Sequence, residues 1–213
     1  MRAEDSTIRI EPDLILEHEL WQSGLAYVAG MDEAGRGAMA GPVAVGAVIL
    51  PDQPHLFSTL KGVRDSKQMT PLARDRLAPR IQASALTWSV GFAASDEIDS
   101  LGIVAATRLA ALRALESLSL FPCYLLTDFR LELPELDIPQ TSLVKGDAKC
   151  LSIAAASVLA KTARDRLMCE LDSQYPGYGL GRHKGYGTLY HRLALKRLGY
   201  SPIHRKTFSF HNS

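Results

Sequence analysis

The chain is poor in cysteine. Its three, Cys123, Cys150 and Cys169, form no CxxC pair and leave an odd count, which argues against a disulfide framework or a zinc motif and predicts buried, reduced thiols. Long apolar runs are missing as well. The richest stretch, residues 38–50, is broken by Gly41, Pro42 and Gly46 and is too short to cross a bilayer. A secretory leader is not expected either, because Glu4, Asp5, Arg9, Glu11, Asp13, Glu17 and Glu19 interrupt any apolar centre near the start. The expectation is a cytoplasmic protein with no membrane attachment. No GxxxxGK[ST] sequence occurs, which removes the phosphate-loop nucleotide hydrolases. Repeats, low-complexity tracts and Pro/Ser-rich linkers are also absent. Residues 1–213 therefore read as one domain, with 1–25 an N-terminal segment and 177–213 a basic C-terminal loop and helix.

What is present is an ordinary globular balance: 213 residues, 46% hydrophobic and 22% charged, enough for a sizeable core. The net charge of +1 conceals an asymmetry, since residues 145–213 carry +8 and residues 1–144 carry −7. The basic third could contact phosphate or be a solvated helix face, while the acidic part could hold cations.

Residues 27–31 form a short apolar run ending at Asp32-Glu33 and read as a strand. Residues 43–50, opened by Gly41-Pro42 and closed by Pro51, read as a second, and 88–94 as a third. Thr70-Pro71 is a helix start, with Pro79 predicting a kinked or short helix. Gly102 separates a short helix from a longer one in which Val104, Leu109, Leu112, Leu115 and Leu118 suggest an amphipathic face. A fourth apolar run, 124–127, ends at Asp128, and residues 142–144 lead to Lys145-Gly146-Asp147. A long helix is expected from about 151 to 175, stopped by Pro176-Gly177, and a basic helix from Thr188 to Leu198, stopped by Gly199. This pattern predicts an α/β domain with a mixed sheet.

Four acids stand out by position. Asp32, Glu33 and Asp128 fall where apolar strands end, and Asp147 precedes the long helix. If the first and fourth strands are neighbours, Asp32 and Asp128 meet at one sheet edge, where mutual repulsion raises their pKa values unless a cation intervenes. Mg²⁺ or Mn²⁺, hard ions with oxygen ligands, would resolve that conflict. Solvated turn residues are the other reading of such acids.

The run Asp32-Glu33-Ala34-Gly35-Arg36-Gly37 resembles the first motif of ribonuclease HII. The similarity continues in order through Gly41-Pro42, Asp65-Ser66-Lys67, Lys145-Gly146-Asp147, Ala155-Ala156-Ser157 with Lys161, Arg164-Asp165-Arg166, His183-Lys184-Gly185-Tyr186-Gly187-Thr188 and Ser201-Pro202-Ile203-His204-Arg205. It spans residues 27–208. The resemblance implies a ribonuclease H-like fold, a central five-stranded mixed sheet flanked by helices. It implies Asp32, Glu33, Asp128 and Asp147 as catalytic residues holding two divalent ions, Mn²⁺ or Mg²⁺. It implies cleavage 5′ of a ribonucleotide in RNA–DNA hybrids or in ribonucleotide-containing duplex DNA, hence a part in replication and ribonucleotide excision repair. A monomer is expected.

Glycines beside Arg36 let backbone approach a sugar, and N–H or C=O groups of Gly35, Arg36 and Gly37 could pair with a 2′-hydroxyl, the atom that separates RNA from DNA. The glycine spacing does not fit GxGxxG, and a strand rather than a helix follows. By resemblance Tyr186 reads the ribonucleotide and the next deoxynucleotide, and Lys67 contacts phosphate. Ser157, Lys161 and Arg164 share one stripe of the long helix, where a basic group requires an anion. For Lys161 that anion is a phosphate or the catalytic carboxylates. Phe129 after Asp128, and Cys150 where Ser is common, depart from the family pattern. Ribonuclease HIII, with an extra N-terminal domain and lysine in place of Arg36, fits less well. A non-catalytic duplex-binding protein with structural acids is the rival from another class.

Overall fold

In a computed structural model, which describes residues 11–128 and 131–208, the chain opens with helix α1 (Ile15–Gln22) and strands β1 (Val28–Ala34) and β2 (Val43–Ile49). Helices α2 (Leu56–Thr59) and α3 (Pro71–Ser84) lead to strand β3 (Thr87–Ala93), then to α4 (Ser95–Leu101) and α5 (Ile103–Glu116). Strands β4 (Tyr124–Asp128) and β5 (Gln140–Leu143) are followed by α6 (Leu151–Gln174), α7 (Leu180–His183) and α8 (Leu189–Leu198). The sheet order is β3-β2-β1-β4-β5. β1, β2 and β3 are antiparallel neighbours, while β4 and β5 run parallel to β1. It is the five-stranded mixed sheet expected. Phe129 lies outside the described residues.

α6 covers one face and α5 the other, and both press close for the same reason. A Cβ at Gly46 would stand 2.3 Å from the Ala156 carbonyl oxygen of α6, and one at Gly91 would stand 2.1 Å from that of Ala110 in α5. Small residues on both sides let helix and sheet backbones approach. The expected leucine stripe of α5 is only part of its packed surface: Leu115 is buried, and Leu109 and Leu118 pack at the margin of the core. Its fully buried face is Ala106, Ala110, Ala111 and Ala114, with Leu115 at the end, while Val104 is exposed. Leucine periodicity marked mainly a flank, because the α5 backbone itself lies against Gly91 along the alanine face.

Other boundaries also differ. α3 continues past Pro79 to Ser84, because Pro79 and Asp75, whose carbonyl loses its helical donor, both face solvent. Asp32 and Glu33 lie within β1, opposite Gly46 and Val45 of β2, rather than beyond its end. All three cysteines are free, but only Cys150 is buried, and Cys169 is exposed on α6. Thr70 and Thr188 cap α3 and α8 as expected, accepting from the N–H groups of Ala73 and His191. Gly199 ends α8 with φ +74°.

The N-cap residue of α6 is Cys150, whose side chain caps nothing. The cap comes instead from α1. Glu17, fully buried, accepts at Oε1 from the Ser152 N–H at 2.8 Å and the Ser152 hydroxyl at 2.6 Å. Burial raises the Glu17 pKa, opposed by those two hydrogen bonds. Glu17→Ala should cost about 1–3 kcal/mol by stranding both donors, whereas Glu17→Gln keeps the acceptor and should cost far less. Urea denaturation midpoints check this; equal losses would refute the cap.

Candidate active site

Along β1 and β4 side chains alternate between sheet faces. The parallel pairing ends at Met31 opposite Thr127, so Asp32 and Asp128 are the next residues in register. Both share the parity of Gly30 and Leu126, which puts them on the α6 side. One carboxylate oxygen each from Asp32, Glu33 and Asp128 lies within 4.8 Å of the others. Asp32 is completely buried. Asp147 sits nearby in a single 3-10 turn, Gly146–Ala148. That turn is tied to the strand end because the Gly146 N–H donates to Asp128 Oδ1 at 2.9 Å.

The electrostatics follow from this crowding. Burial pushes the Asp32 pKa well above the usual carboxylate range, and the Glu33 and Asp128 charges add to it, with Ser157 and Lys67 relieving part. Burial raises Glu33 too, held back by Arg36, whose guanidinium stands 3.9 Å away. Asp147 is raised to about 6, first by burial, then by Asp65 and, despite Lys67, by Asp128. Burial alone would lower the Lys67 pKa, but Asp32, Asp147, Asp65 and Glu33 together raise it. Lys67 is thus a counter-charge to the acids. Asp32 Oδ2 and Glu33 Oε2 are buried and have no hydrogen-bond partner among the described residues. Orphaned anionic oxygens crowded by like charges are the donor set a hard divalent cation requires.

Beside the acids lies a cleft of about 500 Å³ lined by Glu33, Gly35, Arg36, Gly37, Lys67, Lys161 and Tyr186, among others. Lys161 Nζ stands 5.4 Å from the centre of the Tyr186 ring. Lys161 Nζ pairs with Asp165, one helical turn on, at 2.7 Å, an anion the sequence reading had not named. Ser157 lies beneath the cleft, hydrogen bonded to Ser66 at 2.8 Å.

Arg164 overturns its expectation. It is fully buried, and its guanidinium donates to three carbonyls, those of Pro42, Ala40 and Lys184. Three carbonyl dipoles meet the requirement that a buried charge be hydrogen bonded, so it reaches no phosphate. It also explains Gly35, where a Cβ would stand 1.9 Å from Arg164 Nε and φ is +89°. Gly37 has nothing within 4 Å of a Cβ position and leaves open space above the cleft. Two contributors were missed by sequence reasoning. Asp65, singled out only within a motif, faces Asp147, and Arg205 donates to the Arg36 and Gly41 carbonyls. Their motifs were legible, but their partners lie in distant segments.

Because the folded pKa of Asp147 exceeds its unfolded value, protonation favours the fold. That contribution is complete below about pH 4 and is lost as pH rises through about 6. Asp147→Asn should therefore raise the melting temperature of metal-free protein at pH 8 and change it little at pH 4. Mn²⁺ should reverse the order at pH 8 by stabilising the wild type more. A variant no more stable than wild type at pH 8 would contradict the repulsion.

The sequence model of the family described as Ribonuclease HII matches residues 29–211. The chain is 53% identical to a Ribonuclease HII of Thermus thermophilus over 194 residues, 91% of each chain. It is 50% identical to that of Dehalococcoides mccartyi strain 195 over 198 residues, 91% of this chain and 90% of the relative. Among solved structures, the ribonuclease H2 of Pyrococcus horikoshii aligns with TM-score 0.68 at 27% identity, covering 85% of this chain and 93% of that one. The ribonuclease HII of Archaeoglobus fulgidus, solved in complex with PCNA, aligns with TM-score 0.73 at 25% identity over 88% and 97%.

Proposed function

The chain belongs to the ribonuclease HII family, and on that premise we propose that it is an endonuclease acting at ribonucleotides held in a duplex. Its substrates are RNA–DNA hybrids or single ribonucleotides embedded in DNA. Cleavage falls on the 5′ side of the ribonucleotide and leaves 5′-phosphate and 3′-hydroxyl ends. The observation that carries this reading is the juxtaposition of orphaned, mutually repelling carboxylates with a glycine-lined cleft. A monomer acting in the cytoplasm, in replication and repair, fits that substrate.

Asp32, Glu33, Asp128 and Asp147 would hold two divalent ions, Mn²⁺ or Mg²⁺. When bound, such ions supply an activated water and neutralise charge at the leaving 3′ oxygen. The chain itself does the positioning. The open side of Gly37 admits the ribose, and backbone groups of residues 35–37 meet its 2′-hydroxyl. Tyr186 gives the sugar a flat apolar surface, with Lys161 Nζ and the Arg164 guanidinium 5.4 and 5.5 Å from its ring centre. Lys67, at the cleft rim, reaches the acids on one side and a phosphate on the other. Ser157 and Arg164 support from below, Ser157 under Asp32 and Arg164 under the glycine loop.

Asp128→Asn should abolish cleavage while leaving duplex affinity intact, since the loss falls on charge at the reacting centre. Wild type should cut a duplex carrying one ribonucleotide only with divalent metal present, and should leave the all-DNA duplex whole. Metal-independent cutting, or cutting of both duplexes, would refute the reading; binding without cutting would favour the non-catalytic rival. Lys67→Ala should weaken binding and lower the salt slope by about 1. An unchanged slope would restrict Lys67 to the acids.

A further inference from the structure

Among the described residues the segment Ser201-Pro202-Ile203-His204-Arg205 makes no hydrogen bond or ion pair with the clustered acids, yet it joins both walls of the cleft. Arg205, 1% exposed, donates at Nη1 to the Arg36 carbonyl at 2.8 Å, holding the glycine loop. His204, equally buried, reaches the opposite wall through a second histidine. The Ser201 N–H can only donate, so the His204 Nδ1 that it meets at 3.1 Å is an acceptor. His204 must then carry its proton on Nε2, which donates to His191 Nε2 at 3.1 Å. His191 is thereby left with its proton on Nδ1, which donates to the Tyr186 carbonyl at 3.0 Å. His204 Nδ1 also accepts from the Ser201 hydroxyl at 2.7 Å. From His204 to Tyr186 each step then has one donor and one acceptor, each tautomer fixed by the one before.

The surroundings preserve that arrangement. His183 stacks on His191 with ring centres 4.3 Å apart, and accepts the Gly185 N–H at Nδ1. Burial and the neighbouring imidazoles lower the His204 pKa to about 4, and burial lowers that of His191. Both are neutral at physiological pH, as a chain of single donors and acceptors requires.

We propose that His204 and His191 are positioning residues that fix Tyr186 against the glycine loop, and so set how well the enzyme engages the ribonucleotide. This rests on the function proposed above, with Tyr186 meeting the sugar.

The test is a double-mutant cycle on cleavage of a duplex with one ribonucleotide. His191→Phe keeps the ring and removes the donor, and should lower kcat/KM about tenfold. In a Tyr186→Ala background the same change should cost less than about twofold, because the group it positions is gone. His191→Asn, whose amide nitrogen can take the place of Nδ1, should recover most of the loss. Mn²⁺ titration should give the same affinity throughout, since no acid has moved. Equal losses in both backgrounds, or no loss in either, would overturn the relay while leaving the nuclease assignment intact. A wild type that neither binds Mn²⁺ nor cuts would overturn both. Nitrogen NMR of the imidazoles needs no variant: protons on His191 Nδ1 and His204 Nε2 are expected, and the opposite tautomers would sink the proposal.

Discussion

Three carboxylates held within a few ångströms of one another, one of them without any solvent exposure, are the constraint to which the rest of this molecule is fitted. In water such charges would separate. Here they cannot, because Asp32 and Asp128 extend from adjacent parallel strands with the same parity. The repulsion is therefore set by the sheet and not by flexible loops. Holding it requires stiffness, and α6 supplies that by lying on β1 and β2 so closely that glycine is needed beneath Ala156. The same approach places Ser157 under Asp32. A looser helix would leave the acids free to move apart, and the cation site would dissolve into ordinary surface charge.

The second wall of the cleft is built on a different principle. Residues 35–42 have little side chain of their own to pack, so their conformation is imposed by two buried guanidinium groups. Arg164 takes the Ala40 and Pro42 carbonyls, and Arg205 takes those of Arg36 and Gly41. An unpaired buried arginine would be very costly, so each pulls carbonyls toward itself and fixes the loop as a consequence. Fixing a glycine-rich loop in advance also removes an entropic cost that binding would otherwise bear. The loop can then be open on its upper side, at Gly37, and rigid underneath.

How much was legible in the sequence divides along the same lines. Strands and capped helices could be read because period and cap chemistry are local, and Thr70, Thr188 and Gly199 act as expected. The acids could be read because strand ends are visible in an apolar run. The alanine face of α5 could not, since alanine carries almost no periodic signal and its burial depends on Gly91 of another element. Arg164 was placed on the correct stripe of α6 but given the wrong partner. A sequence shows that a buried cation needs acceptors, not that backbone carbonyls from residues 40, 42 and 184 will provide them. Glu17 is the same case, a residue that argued against a leader peptide and turned out to cap the first turn of α6 at Ser152.

That distribution of effort bears on whether the acids are structural. A protein that only bound duplexes would gain from its basic surface and nothing from carboxylates pressed together below it. Each raised pKa means that the ionised form is disfavoured in the fold relative to the unfolded chain, so the cluster subtracts stability at neutral pH. Two acids with structural partners look different. Glu97 is held down to about 2 by Arg113, and Asp99 accepts from Lys206 and Thr207. Asp32 and Glu33 instead leave an oxygen each without a donor. Glu17 also keeps one oxygen without a partner, but it stands outside the cluster and spends its other oxygen on the α6 cap. Three carboxylates grouped within 4.8 Å hold acceptors in reserve for a ligand of opposite charge, one small enough to sit among them.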